Sequence, residues 1–136
     1  MENRIVIGSK YEFPFKFTQE DVIRFSHASG DYNPIHLNEE FAQNTIFKRT
    51  IIHGFLGGSV FSKVFGTIFP GNGTIYLKQD LSFIKPMYTE QEYVAKFEVM
   101  EIYSEKNRAL VSTNIVDQNN VIIIQGTALI KHPEIY

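Results

Sequence analysis

Between Ile51 and Phe69, apolar side chains fall on every side of a helical wheel, and this stretch narrows the possible folds further than any other. Phe55, Leu56, Val60, Phe61, Val64, Phe65 and Ile68 leave no polar stripe, so the expected helix is buried and not laid on a surface. Gly57 and Gly58 lie inside it, each costing about 1 kcal/mol relative to alanine. Something must therefore approach this helix closely enough to offset that cost. A sheet wrapped around it would do so, and so would a ligand. With 136 residues there is chain for one core and little for a second, so residues 1–136 are expected to form a single domain.

After Pro70-Gly71-Asn72-Gly73 the period falls to two. Ile75, Leu77, Leu81 and Phe83 alternate with Tyr76, Lys78, Asp80 and Ser82, which predicts one half-buried strand, closed by Pro86. Tyr93–Tyr103, Arg108–Asp117 and Val121–Lys131 read as three more strands. Their connections, Ser104-Glu105-Lys106-Asn107 and Gln118-Asn119-Asn120, have hairpin length and chemistry. A strand around Tyr11–Phe17 can join them. Thr18-Gln19-Glu20-Asp21 resembles a capping box ahead of a short helix whose face is Val22, Ile23, Phe25 and Ala28. Asn38 can cap another through Phe41 and Ala42. The expected class is α+β, a largely antiparallel sheet with one apolar helix against it.

Several function classes are disfavoured. A net charge of −2 and a pI near 6.1 do not suit nucleic acid or an anionic membrane. Without cysteine there is neither a disulfide nor a thiolate metal site. No run approaches the roughly 20 apolar residues that span a bilayer, and no long apolar run follows Met1-Glu2-Asn3-Arg4 as in a secretory leader. A cytoplasmic location is expected. Twelve Phe and seven Tyr point to a ring-rich core or pocket.

Four histidines are present. His27 lies beside the apolar face of the first helix and reads as a surface or packing residue. His132, next to Pro133, receives no role. His53 precedes Gly54 at the entrance of the apolar helix, where a neutral imidazole can satisfy backbone. His36 closes Gly30-Asp31-Tyr32-Asn33-Pro34-Ile35, which puts a carboxylate and an imidazole on one short loop. Gly30 can adopt a conformation closed to other residues, while Pro34 fixes its own φ and bars Asn33 from the helical region. A loop so stiffened can hold Asp31 and His36 in fixed relation as an acid–base pair. The competing reading is a structural turn, with Asp31 in an Asx-type bond and His36 capping the next segment of chain.

The string Ala28-Ser29-Gly30-Asp31-Tyr32-Asn33-Pro34-Ile35-His36, with Ala42 beyond it, resembles the signature of the MaoC-type (R)-specific enoyl-CoA hydratases. Ile52-His53-Gly54-Phe55-Leu56-Gly57-Gly58-Ser59-Val60-Phe61-Ser62 is similar to that family's central helix. The likeness continues through Pro70–Leu77 and Leu81–Pro86. Two departures are Glu90-Gln91, where the family often has Gly-Asp, and Ala28, where it more often has a larger aliphatic residue or glycine.

The resemblance implies a hot-dog fold, a curved antiparallel sheet wrapped around the long helix, and a homodimer or dimer of dimers. It implies Asp31 and His36 as the catalytic pair, Ser62 as a residue that helps place water, and Gly54 as the backbone N–H facing the thioester oxygen. Asn33 could orient one of the pair, or act only as a turn residue. The implied reaction adds water to a trans-2-enoyl-CoA to give (3R)-3-hydroxyacyl-CoA, without metal or redox cofactor; coenzyme A or phosphopantetheine enters with the substrate. The acyl chain is expected along the helix where Gly57 and Gly58 leave space, with Phe55, Phe61 or Phe65 limiting its length or serving as plain core. Lys85, Lys48 and Arg49 are candidates for coenzyme A phosphates. Three rivals stay open: a (3R)-hydroxyacyl dehydratase acting on an acyl carrier protein, a hot-dog thioesterase, and a non-catalytic acyl-thioester-binding module.

Overall fold

The structure is a computed structural model and describes residues 5–136. Lys10–Phe15 forms β1, Gln19–Ser29 α1, Pro34–Leu37 α2, Glu39–Gln43 α3 and Gly54–Thr67 α4. Ile75–Gln79 forms β2, Ser82–Phe83 β3, Tyr93–Tyr103 β4, Arg108–Val116 β5 and Ile122–Lys131 β6. All the strand pairs are antiparallel, in the order β1-β4-β5-β6-β2, with β3 also on β6.

Alternation along the long strands builds the core. Tyr93, Ala95, Phe97 and Val99 of β4, Ala109, Val111 and Ile115 of β5, and Ile124, Ala128 and Ile130 of β6 are buried on one face. That face receives α4, whose Phe61 and Phe65 rings meet Phe97 edge-on at 5.7 and 5.2 Å. Each ring so buried contributes about 1.5–3 kcal/mol through apolar area removed from water. A curved antiparallel sheet holding one apolar helix is the hot-dog arrangement.

The glycines of α4 are explained by side chains from the sheet and its connections. A Cβ at Gly57 would stand 2.8 Å from Met87 Sδ and 2.9 Å from Ile124 Cδ1, and one at Gly58 would stand 3.1 Å from Leu81 Cδ1. The space expected for an acyl chain along Gly57 and Gly58 is therefore filled by the protein itself. Phe61 and Phe65 are core, whereas Phe55 is exposed.

Two sequence expectations are overturned by the structure. The single strand over 75–83 is broken at Asp80-Leu81 into β2 and β3. There the chain crosses Gly126 so closely that a Cβ on that glycine would stand 1.9 Å from the Asp80 carbonyl oxygen. Its alternation is also inverted. Tyr76 packs inward against Phe65, while Ile75, Leu77 and Phe83 are exposed. β2 is an edge strand, and no other element of the described chain covers its apolar face.

Candidate active site

The site is built from the junction between α1 and α2. Thr18 and Asp21 form the expected reciprocal capping box at the start of α1. The helix ends at Gly30, whose φ of +81° is left-handed and whose N–H returns to the Ser26 carbonyl. Three side-chain bonds then steer the chain. Ser29 Oγ accepts the Asp31 N–H, Asp31 Oδ1 the Asn33 N–H, and Asn33 Oδ1 the Ile35 N–H, each at 3.1 Å. Asn33 is the N-cap of α2 and Pro34 its first residue. His36 thus sits on a helical turn, not on the scaffold-free loop expected. The Asx bond of Asp31 foreseen for a structural turn is present as well; it occupies one carboxylate oxygen and leaves the other available.

His36 is buried, and its Nδ1 lies 2.8 Å from the Ile51 carbonyl oxygen. A carbonyl only accepts, so Nδ1 carries the proton and the Nε2 of the neutral ring presents a lone pair. His36 does not cap the segment after it; it ties α2 to the strand-like chain leading into α4.

His53 lies directly against this ring, with centroids 3.9 Å apart and planes inclined by 29°. Phe25 meets its other side edge-on at 4.7 Å. Its Nε2 stands 3.2 Å from the Asp31 carbonyl oxygen and 3.1 Å from Ser26 Oγ. The carbonyl again requires the proton on Nε2, which leaves Nδ1 as a buried acceptor without a hydrogen-bond partner. Burial holds His53 below the ordinary imidazole range; the bond to the Asp31 backbone opposes this and the neighbouring His36 adds to it. The sequence reading of His53 as a residue that satisfies backbone holds, but it missed the contact with His36 and missed Ser26. One signal was available: Ser26 follows Val22 by one turn on the buried face of α1, and both are fully buried.

One side-chain donor atom from each of Asp31, His36 and His53 lies within 4.8 Å of the others. Two of the four ring nitrogens are committed to carbonyls, which leaves His36 Nε2, His53 Nδ1 and a carboxylate oxygen of Asp31 as the donor atoms not so engaged. His27 pairs with Tyr32 at the surface. His132 lies between the Asn72 carbonyl and the Glu134 N–H, a structural tie far along the chain. Ser62 lies eight residues along α4, about 12 Å of helix rise from Gly54. It is exposed and takes no part in the bonds that hold the trio.

Gly54 opens α4, where first-turn N–H groups lack partners within the helix. A Cβ there would stand 2.6 Å from the Phe83 ring, so the backbone is approached closely on that side. A cleft of about 350 Å³ runs past Gly54, lined by Phe47, Ile51, Phe55, Phe83 and Met87, with Lys85 beside it. Arg49 lies over the Tyr88 ring at 4.1 Å and Lys48 is exposed. A larger hollow of about 1020 Å³ on the outer face of the sheet, near Tyr103, Arg108 and Leu129, contains none of the candidate residues. The smaller cleft takes in Gly54 and Ile51, whose carbonyl holds His36, while Asp31, His36 and His53 are not among its lining residues.

Comparison with known proteins gives consistent results. The profile of the MaoC-like domain matches residues 2–120. The (R)-specific enoyl-CoA hydratase of Aeromonas caviae is 38% identical over 127 residues, covering 93% of this chain and 95% of that protein. A mitochondrial 3-hydroxyacyl-[acyl-carrier-protein] dehydratase of Solanum lycopersicum is 31% identical over 98% of this chain and 81% of its own length. The solved structure of the (R)-hydratase of A. caviae involved in PHA biosynthesis superposes with a TM-score of 0.92 at 36% identity. It covers 97% of this chain and 100% of that one.

Proposed function

The chain belongs to the MaoC-like domain family, and on that premise we infer that it is an (R)-specific enoyl-CoA hydratase, adding water to a trans-2-enoyl-CoA. The observation that carries this most directly is likeness over nearly the whole length of an enzyme of that activity, in sequence and in fold.

In the substrate, conjugation with the thioester carbonyl makes Cβ electrophilic. Hydroxide equivalent from water adds to Cβ, negative charge gathers on the thioester oxygen, and a proton is delivered to Cα. We assign proton transfer to Asp31 and His36. His36 offers the Nε2 lone pair to the water proton, because Ile51 fixes the tautomer. The Asp31 carboxylate, within the same 4.8 Å cluster, shares the network through which one proton returns to Cα. Gly54 supplies the oxyanion N–H: it sits at a helix N-terminus beside the apolar cleft, where hydrogen bond and dipole act together. Asn33 supports the pair by capping α2; Ser62, expected to help place water, stands exposed on α4 outside the bonds that hold the trio and carries no step here.

We propose no cofactor beyond the coenzyme A of the substrate, and a cytoplasmic location. We propose a homodimer joined at β2, because the exposed Ile75 and Leu77 form an apolar edge that a second copy would cover. No helix among the described residues is long and apolar enough to cross a membrane.

The likeness to the tomato dehydratase supports a second reading, the reverse reaction on an acyl carrier protein. Crotonyl-CoA should lose the absorbance of its conjugated thioester when the protein is added. Rates far higher on crotonyl carried by an acyl carrier protein would favour the second reading. Release of free thiol without loss of conjugation would overturn both.

A further inference from the structure

His53 lies outside the proton-transfer pair yet contacts both of its members. It stacks on the His36 ring at 3.9 Å, and its Nε2–H points to the main-chain carbonyl of Asp31 at 3.2 Å. Asp31 and His36 come from different turns of the chain, so something must hold the turn that bears the carboxylate against the turn that bears the imidazole. His53 is the side chain that touches both. Ser26 and Phe25 from α1 enclose it, and His53 itself immediately precedes Gly54.

Resting on the hydratase reading, we propose that His53 is a positioning residue: a neutral imidazole that clamps the Asp31 backbone and backs the His36 ring. Neutrality matters because His36 must gain a proton during turnover. A charged ring stacked at 3.9 Å would oppose that gain, whereas a neutral aromatic face favours a cation above it. The surroundings enforce it. His53 is 2% exposed, its Nδ1 faces no partner, and a proton placed there would be buried without a hydrogen bond. Of the groups packed against it, Asp31 and His36 titrate, while Ser26 and Phe25 carry no charge. A hydroxyl and a carbonyl on Nε2 also fix the tautomer, so the Asp31 turn and the His36 ring are referenced to one rigid group.

Two substitutions divide the roles. His53→Phe keeps a ring under His36 and drops the donor; His53→Gln keeps a donor and drops the ring. Each should lower kcat on crotonyl-CoA about ten- to hundredfold, the scale of a small misplacement of reacting groups, with KM changed less than about threefold. Folded variants that keep kcat within about twofold, or that change KM alone, would overturn the proposal. Because a buried ring is being replaced, nitrogen NMR of the unaltered protein gives an answer independent of folding. His53 should keep its proton on Nε2 and stay neutral as pH falls past the ordinary imidazole value of about 6.5. A proton on Nδ1, or His53 charging at or above that value, would refute it. Hydration by the unaltered protein is the control: its absence would sink the hydratase reading while leaving the NMR result to judge His53.

Discussion

Asp31 is exposed and uses Oδ1 to accept the Asn33 N–H, whereas His36 is buried and has committed Nδ1 to Ile51. The two should therefore answer differently to substitution. Asp31→Asn keeps an oxygen for the Asn33 bond, so unfolding should shift by no more than about 0.5 kcal/mol. Hydration should nonetheless fall by at least about a hundredfold. His36→Gln should lose activity similarly but also destabilise, by about 1–3 kcal/mol, because it strands the Ile51 carbonyl. Thermal unfolding beside steady-state rates checks both. The closeness of the two side chains was legible in the sequence, since Gly30, Asn33 and Pro34 mark a turn between them; the acid–base roles came only from the resemblance. The partner of that pair was not legible. His53 stands 17 positions after His36, and only the fold, through the Ile51 carbonyl and α1, makes them neighbours.

Elements were read more easily where both faces of a pattern met protein. The long strands and α4 follow from period two and from an apolar wheel, because sheet and helix satisfy each other within one chain. β2 was misread because its apolar residues face away from the core, and alternation alone cannot say which side is inside. The break before β3 depends on a crossing over Gly126 that no local pattern announces. That crossing gives a test. Gly126→Ala would drive a Cβ to 1.9 Å from the Asp80 carbonyl oxygen, against backbone on both sides. A loss of about 3 kcal/mol or more is expected in denaturant unfolding. At Gly54 the obstacle is a half-exposed Phe83 ring that can swing, so Gly54→Ala should cost less stability than Gly126→Ala.

At the scale of the whole molecule, buried His53 links stability to pH. Its folded value lies below the ordinary one of about 6.5, so beneath that pH the unfolded chain takes up a proton that the folded chain refuses. Stability should be fully present above about pH 6.5 and decline as pH falls towards the lower folded value; His53→Phe should flatten that slope in denaturant titrations across the window. The exposed edge of β2 predicts a dimer by analytical ultracentrifugation, and Leu77→Lys should shift it towards monomer. Hydration at one face of the double bond is the activity on which the roles of Asp31, His36 and Gly54 all depend. Crotonyl-CoA should be consumed with loss of its conjugated absorbance, and chiral separation of the product should give the (3R)-hydroxyacyl thioester, both abolished by Asp31→Asn. A (3S) product, or undiminished turnover by that variant, would contradict it.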